Sequence, residues 1–131
     1  MFALDTNTLV YFFKGKGRVA ERLLAQPPSR IAIPTLVVYE LEVGIAKSPS
    51  PQRRTEQLGE LLDTVTLLPF DHQAASAAAG IRAELEASGR PIGPLDTLIA
   101  GTAAAHGATL VTQNTAEFGR IDRLSVEDWH G

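Results

Sequence analysis

Short apolar runs alternate with longer amphipathic segments along this chain, a pattern that predicts strands interleaved with helices. Phe2 to Leu4 reads as a short buried strand with Asp5 at its carboxyl end. Thr6-Asn7-Thr8 offers cap residues for a helix over Leu9-Val10-Tyr11-Phe12-Phe13, stopped near Lys14-Gly15. Arg18 to Ala25 predicts a second helix, apolar at Val19, Leu23 and Leu24, and Pro27-Pro28 breaks the chain behind it. Arg30 to Ile33 is the second expected strand. Pro34 opens a helix to about Lys47, and Ser48-Pro49-Ser50-Pro51 follows as a loop. Arg53 to Asp63 predicts a helix with Leu58, Leu61 and Leu62 on one side, and Val65 to Leu68 a third strand. Asp71 caps an alanine-rich helix to Ala87, closed by Ser88-Gly89. Pro94 stands at the first position of a helix ending at His106-Gly107. Thr109 to Thr112 and Leu124 to Val126 complete the expected strands.

Strands of about four residues between helices predict a three-layer α/β/α fold with a mainly parallel, short-stranded central sheet. The length of 131 residues suits one domain, residues 1–131, with a sizeable core. In such sheets ligands bind beyond the carboxyl ends of the strands, where strand order reverses. Asp5 and the stretch Thr112-Gln113-Asn114 fall at such ends, and helices can carry Glu40 and Asp96 to the same edge.

Composition narrows the chemistry. There is no cysteine, which removes disulfides, thiolate metal sites and cysteine nucleophiles and suits a reducing cytoplasm. No apolar run approaches the ~20 residues of a membrane span, and the opening Met1-Phe2-Ala3-Leu4 is too short for a signal peptide. The net charge of −3 argues against a broad electrostatic nucleic-acid binder. It leaves room for an enzyme with acids in one pocket and cations around it. Lys14, Lys16, Arg18 and Arg22, then Arg53-Arg54, then Arg82 with Arg90, form local basic groups that are either solvated helix faces or phosphate contacts. None of the three histidines, His72, His106 and His130, has a serine or cysteine partner for a nucleophilic triad.

The acids carry the functional reading. Asp5 either caps the helix that follows or, with Thr6 and Asn7 able to cap, faces the crevice. Glu40 shares its helix face with Leu36, Val37, Val43 and Gly44; a carboxylate in that company is costly unless a positive group meets it. Gly44, one turn on, leaves the space beside it open. Glu42 points elsewhere and reads as solvated. Asp96 stands in the first turn of a helix that continues without a charge through Ala105, so it emerges at the end of a core helix. Its alternative is simple dipole stabilisation. Asn114 is either a turn residue or a hydrogen-bond partner for a water at the site. Glu117 reads as a solvated loop residue.

Taken in order, several stretches make the chain resemble the PIN-domain ribonucleases, in particular the VapC toxins of bacterial type II toxin–antitoxin pairs. They are Leu4-Asp5-Thr6-Asn7, Tyr39-Glu40-Leu41 with Gly44, Ile92-Gly93-Pro94-Leu95-Asp96-Thr97-Leu98-Ile99-Ala100, Leu110-Val111-Thr112-Gln113-Asn114-Thr115 with Glu117-Phe118, and Glu127-Asp128-Trp129. The resemblance spans essentially the whole chain. It implies that Asp5, Glu40 and Asp96 form an acidic pocket for Mg²⁺ or Mn²⁺. Many relatives carry Asp where this chain has Asn114, and a subset carries Asn. The resemblance further implies an RNA substrate cut in a single-stranded loop, with initiator tRNA cut at the anticodon loop by relatives of similar motif. It also implies a homodimer and a small VapB-like antitoxin whose basic side chain enters the acids. Leu9, Tyr11, Phe12 and Phe13 are candidate interface residues, with core packing as the alternative.

The residue types suit metal-assisted hydrolysis. Mg²⁺ takes oxygen ligands and is often held by one or two carboxylates plus a substrate phosphate. Asp5 and Asp96 would hold the ion, Glu40 would orient or deprotonate the attacking water, and Asn114 would position it, leaving a 5′-phosphate and a 3′-hydroxyl. Two rivals need residues that this chain lacks. A phospho-receiver domain requires paired acids after the first strand and a late lysine, whereas Asp5 stands alone and the last lysine is Lys47. A haloacid-dehalogenase-type phosphatase needs Asp where Asn7 stands. A PIN-like module that binds RNA without cutting it is the remaining alternative.

Overall fold

A computed structural model describes residues 1–131. Its centre is a five-stranded sheet in which every pairing is parallel, in the order β3-β2-β1-β4-β5. The strands are β1 (Phe2–Leu4), β2 (Ile31–Pro34), β3 (Thr66–Leu68), β4 (Thr109–Val111) and β5 (Val126–Glu127). Register is set by Phe2 opposite Ile31 on one side of β1 and Leu4 opposite Val111 on the other. All four residues of β2 are buried, as are Ala3, Leu4, Leu110 and Val111, so the inner strands are covered on both faces.

Seven helices do the covering: α1 (Thr6–Lys14), α2 (Val19–Leu24), α3 (Thr35–Ala46), α4 (Pro51–Leu62), α5 (His72–Ala87), α6 (Pro94–Ala105) and α7 (Thr115–Phe118). Their ends follow local chemistry. Asp71 accepts a hydrogen bond from the Ala74 amide at 3.0 Å and starts α5. Pro51 stands at the first turn of α4 instead of in the preceding loop, because its missing N–H costs nothing there. Pro34 closes β2 and caps α3 rather than opening the helix. β5 begins two residues later than the apolar pattern implied: Leu124 is core, while the ladder to β4 runs through Val126 and Glu127. The pattern missed α7 altogether, since four residues carry no period to read.

The closest helix packing is between α5 and α6. Six residues of α6 are buried, among them Gly101. A Cβ built on Gly101 would stand 2.5 Å from the Ala78 Cβ and 2.7 Å from the Ala78 backbone. Gly101→Ala gains helix propensity and still loses overall, because backbone cannot step aside. It should destabilise the fold by about 1–3 kcal/mol, read as a lower urea midpoint at unchanged m-value. Because α6 presents Asp96, the same contact fixes one of the acids.

Leu9 is fully buried in the core. That removes it from the candidate interface residues, since the first turn of α1 must cover the sheet. Tyr11, Phe12 and Phe13 are only partly buried. Tyr11 packs edge-on against His130 at 4.9 Å between ring centroids, tying α1 to the end of the chain.

Candidate functional site

β1 leads to β2 on one side and β4 stands on its other side, so strand order reverses between β1 and β4. Asp5 and Thr112 leave the sheet side by side there. The Asp5 amide continues the ladder by donating to the Val111 carbonyl at 3.1 Å, and the Thr112 amide donates to Glu127 at 2.8 Å. The Thr8 hydroxyl donates to the same Val111 carbonyl at 3.0 Å. Asp5 is thereby clamped to two strands and to the first turn of α1.

Asp5 is itself the cap of α1: its Oδ1 accepts from the Thr8 amide at 2.9 Å. The expectation that Thr6 or Asn7 would cap is corrected. Both have helical backbone, whereas Asp5 holds the extended conformation that a cap requires. Capping does not exhaust the carboxylate, whose two oxygens offer about four acceptor sites. Asp5 is only 7% exposed, and burial raises its pKa. Hydrogen bonding with Thr112 and Thr8 opposes that rise without cancelling it, and the charge of Glu40 adds to it.

Asp96 lies in the first turn of α6, half-buried, with its Oδ2 over Gly93. Its pKa is also raised, by burial first and then by the charges of Glu40, Glu117 and Asp5. Asp96 therefore feels the charges of three carboxylates from three other parts of the chain, gathered at this edge. Glu40 is oriented by the Thr6 hydroxyl, which donates to its Oε1 at 2.5 Å. None of the four has a cationic partner. The ion pairs of the chain are Arg18–Glu21, Arg82–Glu86 and Arg123–Glu84, all at the surface.

The structure brings Asp5, Glu40 and Asp96 together at the level of their fields and not as a finished ligand shell. No three His, Asp or Glu side chains lie close enough to hold an ion among them. The donor set still fits a hard divalent cation: all oxygen, anionic, partly desolvated and uncompensated. An ion that binds through one or two carboxylates and keeps its waters needs no tighter cage.

Asn114 borders the acids through its neighbours Thr112 and Glu117. It is exposed at the start of α7, where its Nδ2 donates to Glu117 Oε2 at 3.0 Å and its amide donates to the Thr112 hydroxyl at 3.0 Å. Of the acids, Glu117 is the one it touches. Glu117 is in turn a partly buried helix residue rather than a solvated loop residue, and its charge reaches Asp96. Sequence reasoning also passed over Thr6, Thr8 and Thr112. Their role shows only in the fold: Thr8 and Thr112 are 3% and 0% exposed, and hydroxyls buried beside an acid require partners.

Comparison with known proteins decides the family. The PIN domain family model matches residues 2–124. The chain belongs to the PIN domain family. Over 128 residues this PIN domain is 38% identical to the tRNA(fMet)-specific endonuclease VapC of Salmonella typhimurium, covering 98% of this chain and 97% of that one. It is 36% identical to the ribonuclease VapC2 of Rickettsia felis, covering 98% of each. Among solved structures, it superposes on VapBC2 from Rickettsia felis, bound to a promoter DNA fragment, with a TM-score of 0.90 and 35% identity over 98% of both chains. DNA-bound VapBC from Salmonella typhimurium gives a TM-score of 0.90 at 38% identity, covering 98% of this chain and 97% of that one. The crevice of this PIN domain thus lies at the carboxyl edge of a fold shared with ribonucleases.

Proposed function

We propose that this chain, acting as one PIN domain over residues 1–131, is a metal-dependent endoribonuclease and the toxin of a VapBC-type toxin–antitoxin pair. The observation that carries the reading is the crevice at the β1–β4 switch point, where Asp5, Glu40, Asp96 and Glu117 gather with no cation beside them. Full-length likeness to proteins named as ribonucleases supports it.

Asp5 and Asp96 are the residues to hold a divalent ion, Mg²⁺ or Mn²⁺. When bound, such an ion would neutralise charge at the phosphate and make a nearby water easier to deprotonate. Glu40, fixed by Thr6, takes the proton from the attacking water or orients it. Asn114 holds Glu117 in place. That contact stands beside the role expected for Asn114, positioning the attacking water. Attack in line with the leaving 3′-oxygen yields a 5′-phosphate and a 3′-hydroxyl.

The substrate is RNA, read in an unpaired loop where base edges are accessible. The name tRNA(fMet)-specific endonuclease, borne by the Salmonella relative, supports initiator tRNA as the RNA cut, and its unpaired anticodon loop is the segment proposed. The partner is a VapB-like antitoxin that reaches the acids with a cationic side chain, a guanidinium being matched to paired carboxylates. The VapBC complexes that share the fold support a VapB-like partner. The toxin is a homodimer and works in the cytoplasm; no helix of the chain is long and apolar enough to cross a membrane.

The deciding experiment incubates the purified chain with total RNA and Mg²⁺, with and without EDTA, and analyses the ends produced. The expected fragments carry 5′-phosphates and disappear with EDTA. Cyclic 2′,3′-phosphates that persist in EDTA would sink the proposal.

A further inference from the structure

Beside the acids runs a groove of about 330 Å³ between α1, α3 and α4, with Thr6 and Glu40 in its wall. Phe13, Leu41, Ile45 and Leu58 give it apolar surface, and Lys14 and Arg54 are its cations. Neither cation is spent elsewhere, since no acid of the chain pairs with Lys14 or Arg54. Gly44 lines the groove one turn beyond Glu40, and a Cβ there would meet nothing within 4 Å.

We propose that this groove is a nucleotide subsite, seating an unpaired base next to the cleaved phosphodiester. The inference rests on the ribonuclease reading and names what that site holds. Three observations converge. The groove shares Glu40 with the acid crevice, so its occupant is continuous with whatever reacts there. Its volume lies at the small end of ligand clefts, which run to about 300–1,000 Å³, and is enough for one flat ring system. Its chemistry is mixed in the way a nucleotide is mixed. Carbon and an aromatic ring meet the base, and two free cations meet the phosphates on either side.

Of the other basic residues, Lys16, Arg53 and Arg90 do not line the groove. Arg18 and Arg82 are paired with Glu21 and Glu86, and Arg22 donates to the carbonyls of Asp128 and Gly131. Lys14 ends α1 and Arg54 lies one turn before Leu58 on α4. Two helices distant in sequence thus supply cations to a groove that shares Glu40 with the acids.

The test uses short single-stranded RNAs spanning a cut mapped in total RNA, each intact or abasic at the nucleotide on one side of the cleaved bond. With Mg²⁺, the wild-type chain should lose about tenfold in kcat/KM on the abasic RNA at one of the two sides. Gly44→Leu fills the groove at a position with room for it. It should be about tenfold slower on intact RNA and no longer distinguish intact from abasic, with an unchanged circular dichroism spectrum. Arg54→Ala should raise KM at constant kcat and flatten the slope of log(kcat/KM) against log[salt] by about 0.7, one phosphate contact on a single strand. Equal cleavage of intact and abasic RNAs by the wild type overturns the subsite. So does a folded Gly44→Leu chain that cuts intact RNA at the wild-type rate, including one that escapes inhibition by its antitoxin, which would assign the groove to the protein partner. A wild-type chain that cuts no RNA removes the ribonuclease reading itself, and the subsite with it.

Discussion

Asp5→Asn should abolish RNA cleavage, lowering kcat/KM by more than about 100-fold, while the chain stays folded. The magnitude has a floor in general experience: altering groups that merely support metal ligands costs about 10–100-fold, and Asp5 is proposed as a ligand. Asparagine is chosen because Asp5 has a second task. It caps α1 through the Thr8 amide, and Asn caps as well as Asp does. Asp5→Ala loses both roles, so about 1 kcal/mol of stability should disappear along with activity. Comparing the two variants separates the carboxylate's chemistry from its structural duty. If Asp5→Asn cuts RNA within a fewfold of wild type in a single-turnover assay, the site assignment fails.

Without metal, Asp96→Asn should melt at a higher temperature than wild type. Asp96 stands half-buried against the charges of Glu40, Glu117 and Asp5, and its raised pKa records what ionisation costs. The sign follows from linkage. Between the ordinary carboxylate range and the raised folded value, the folded chain keeps protons that the unfolded chain has already released. Stability therefore falls as pH rises through that window, and stays level above it. Asp5 contributes in the same direction. A divalent ion replaces those protons. At 100 times its dissociation constant it should stabilise the wild type by about 2.7 kcal/mol, a shift of several degrees. Asp96→Asn should lose most of that response, and lowering the pH into the window should weaken Mg²⁺ affinity. Thermal melts across pH with Mg²⁺ or EDTA measure each of these effects. A wild-type chain whose melting ignores Mg²⁺ at neutral pH contradicts Asp5 and Asp96 as a metal site.

Expectation and structure agree most closely where a local rule has a single solution. β1 at Phe2–Leu4, the Asp71 cap and the Pro94 start are all set by residues within one turn of the event, so neighbours in sequence sufficed. The parallel sheet was likewise legible, because short buried strands separated by helices leave few other arrangements. Errors gathered where competing caps or very short elements gave local rules more than one answer. Asp5, Thr6 and Asn7 can each start a helix, and only the exit geometry of β1 selects Asp5. Nothing near Glu117 in sequence shows that it faces Asp96, because α7 reaches that edge through the position of β4.

By itself the sequence determined which residues are unusual: lone acids at the ends of apolar segments, and a helix from Leu98 to Ala105 with no charge. Burial period and residue chemistry are local properties, so they can be read along a line. Only the tertiary structure decided which acids share a field, that Asn114 is bound to Glu117, and that Lys14 and Arg54 meet across one groove. Those are distances between parts of the chain far apart in sequence. They are fixed by how helices pack on the sheet, as where Gly101 lets α6 press against α5, and no run of neighbouring residues encodes them.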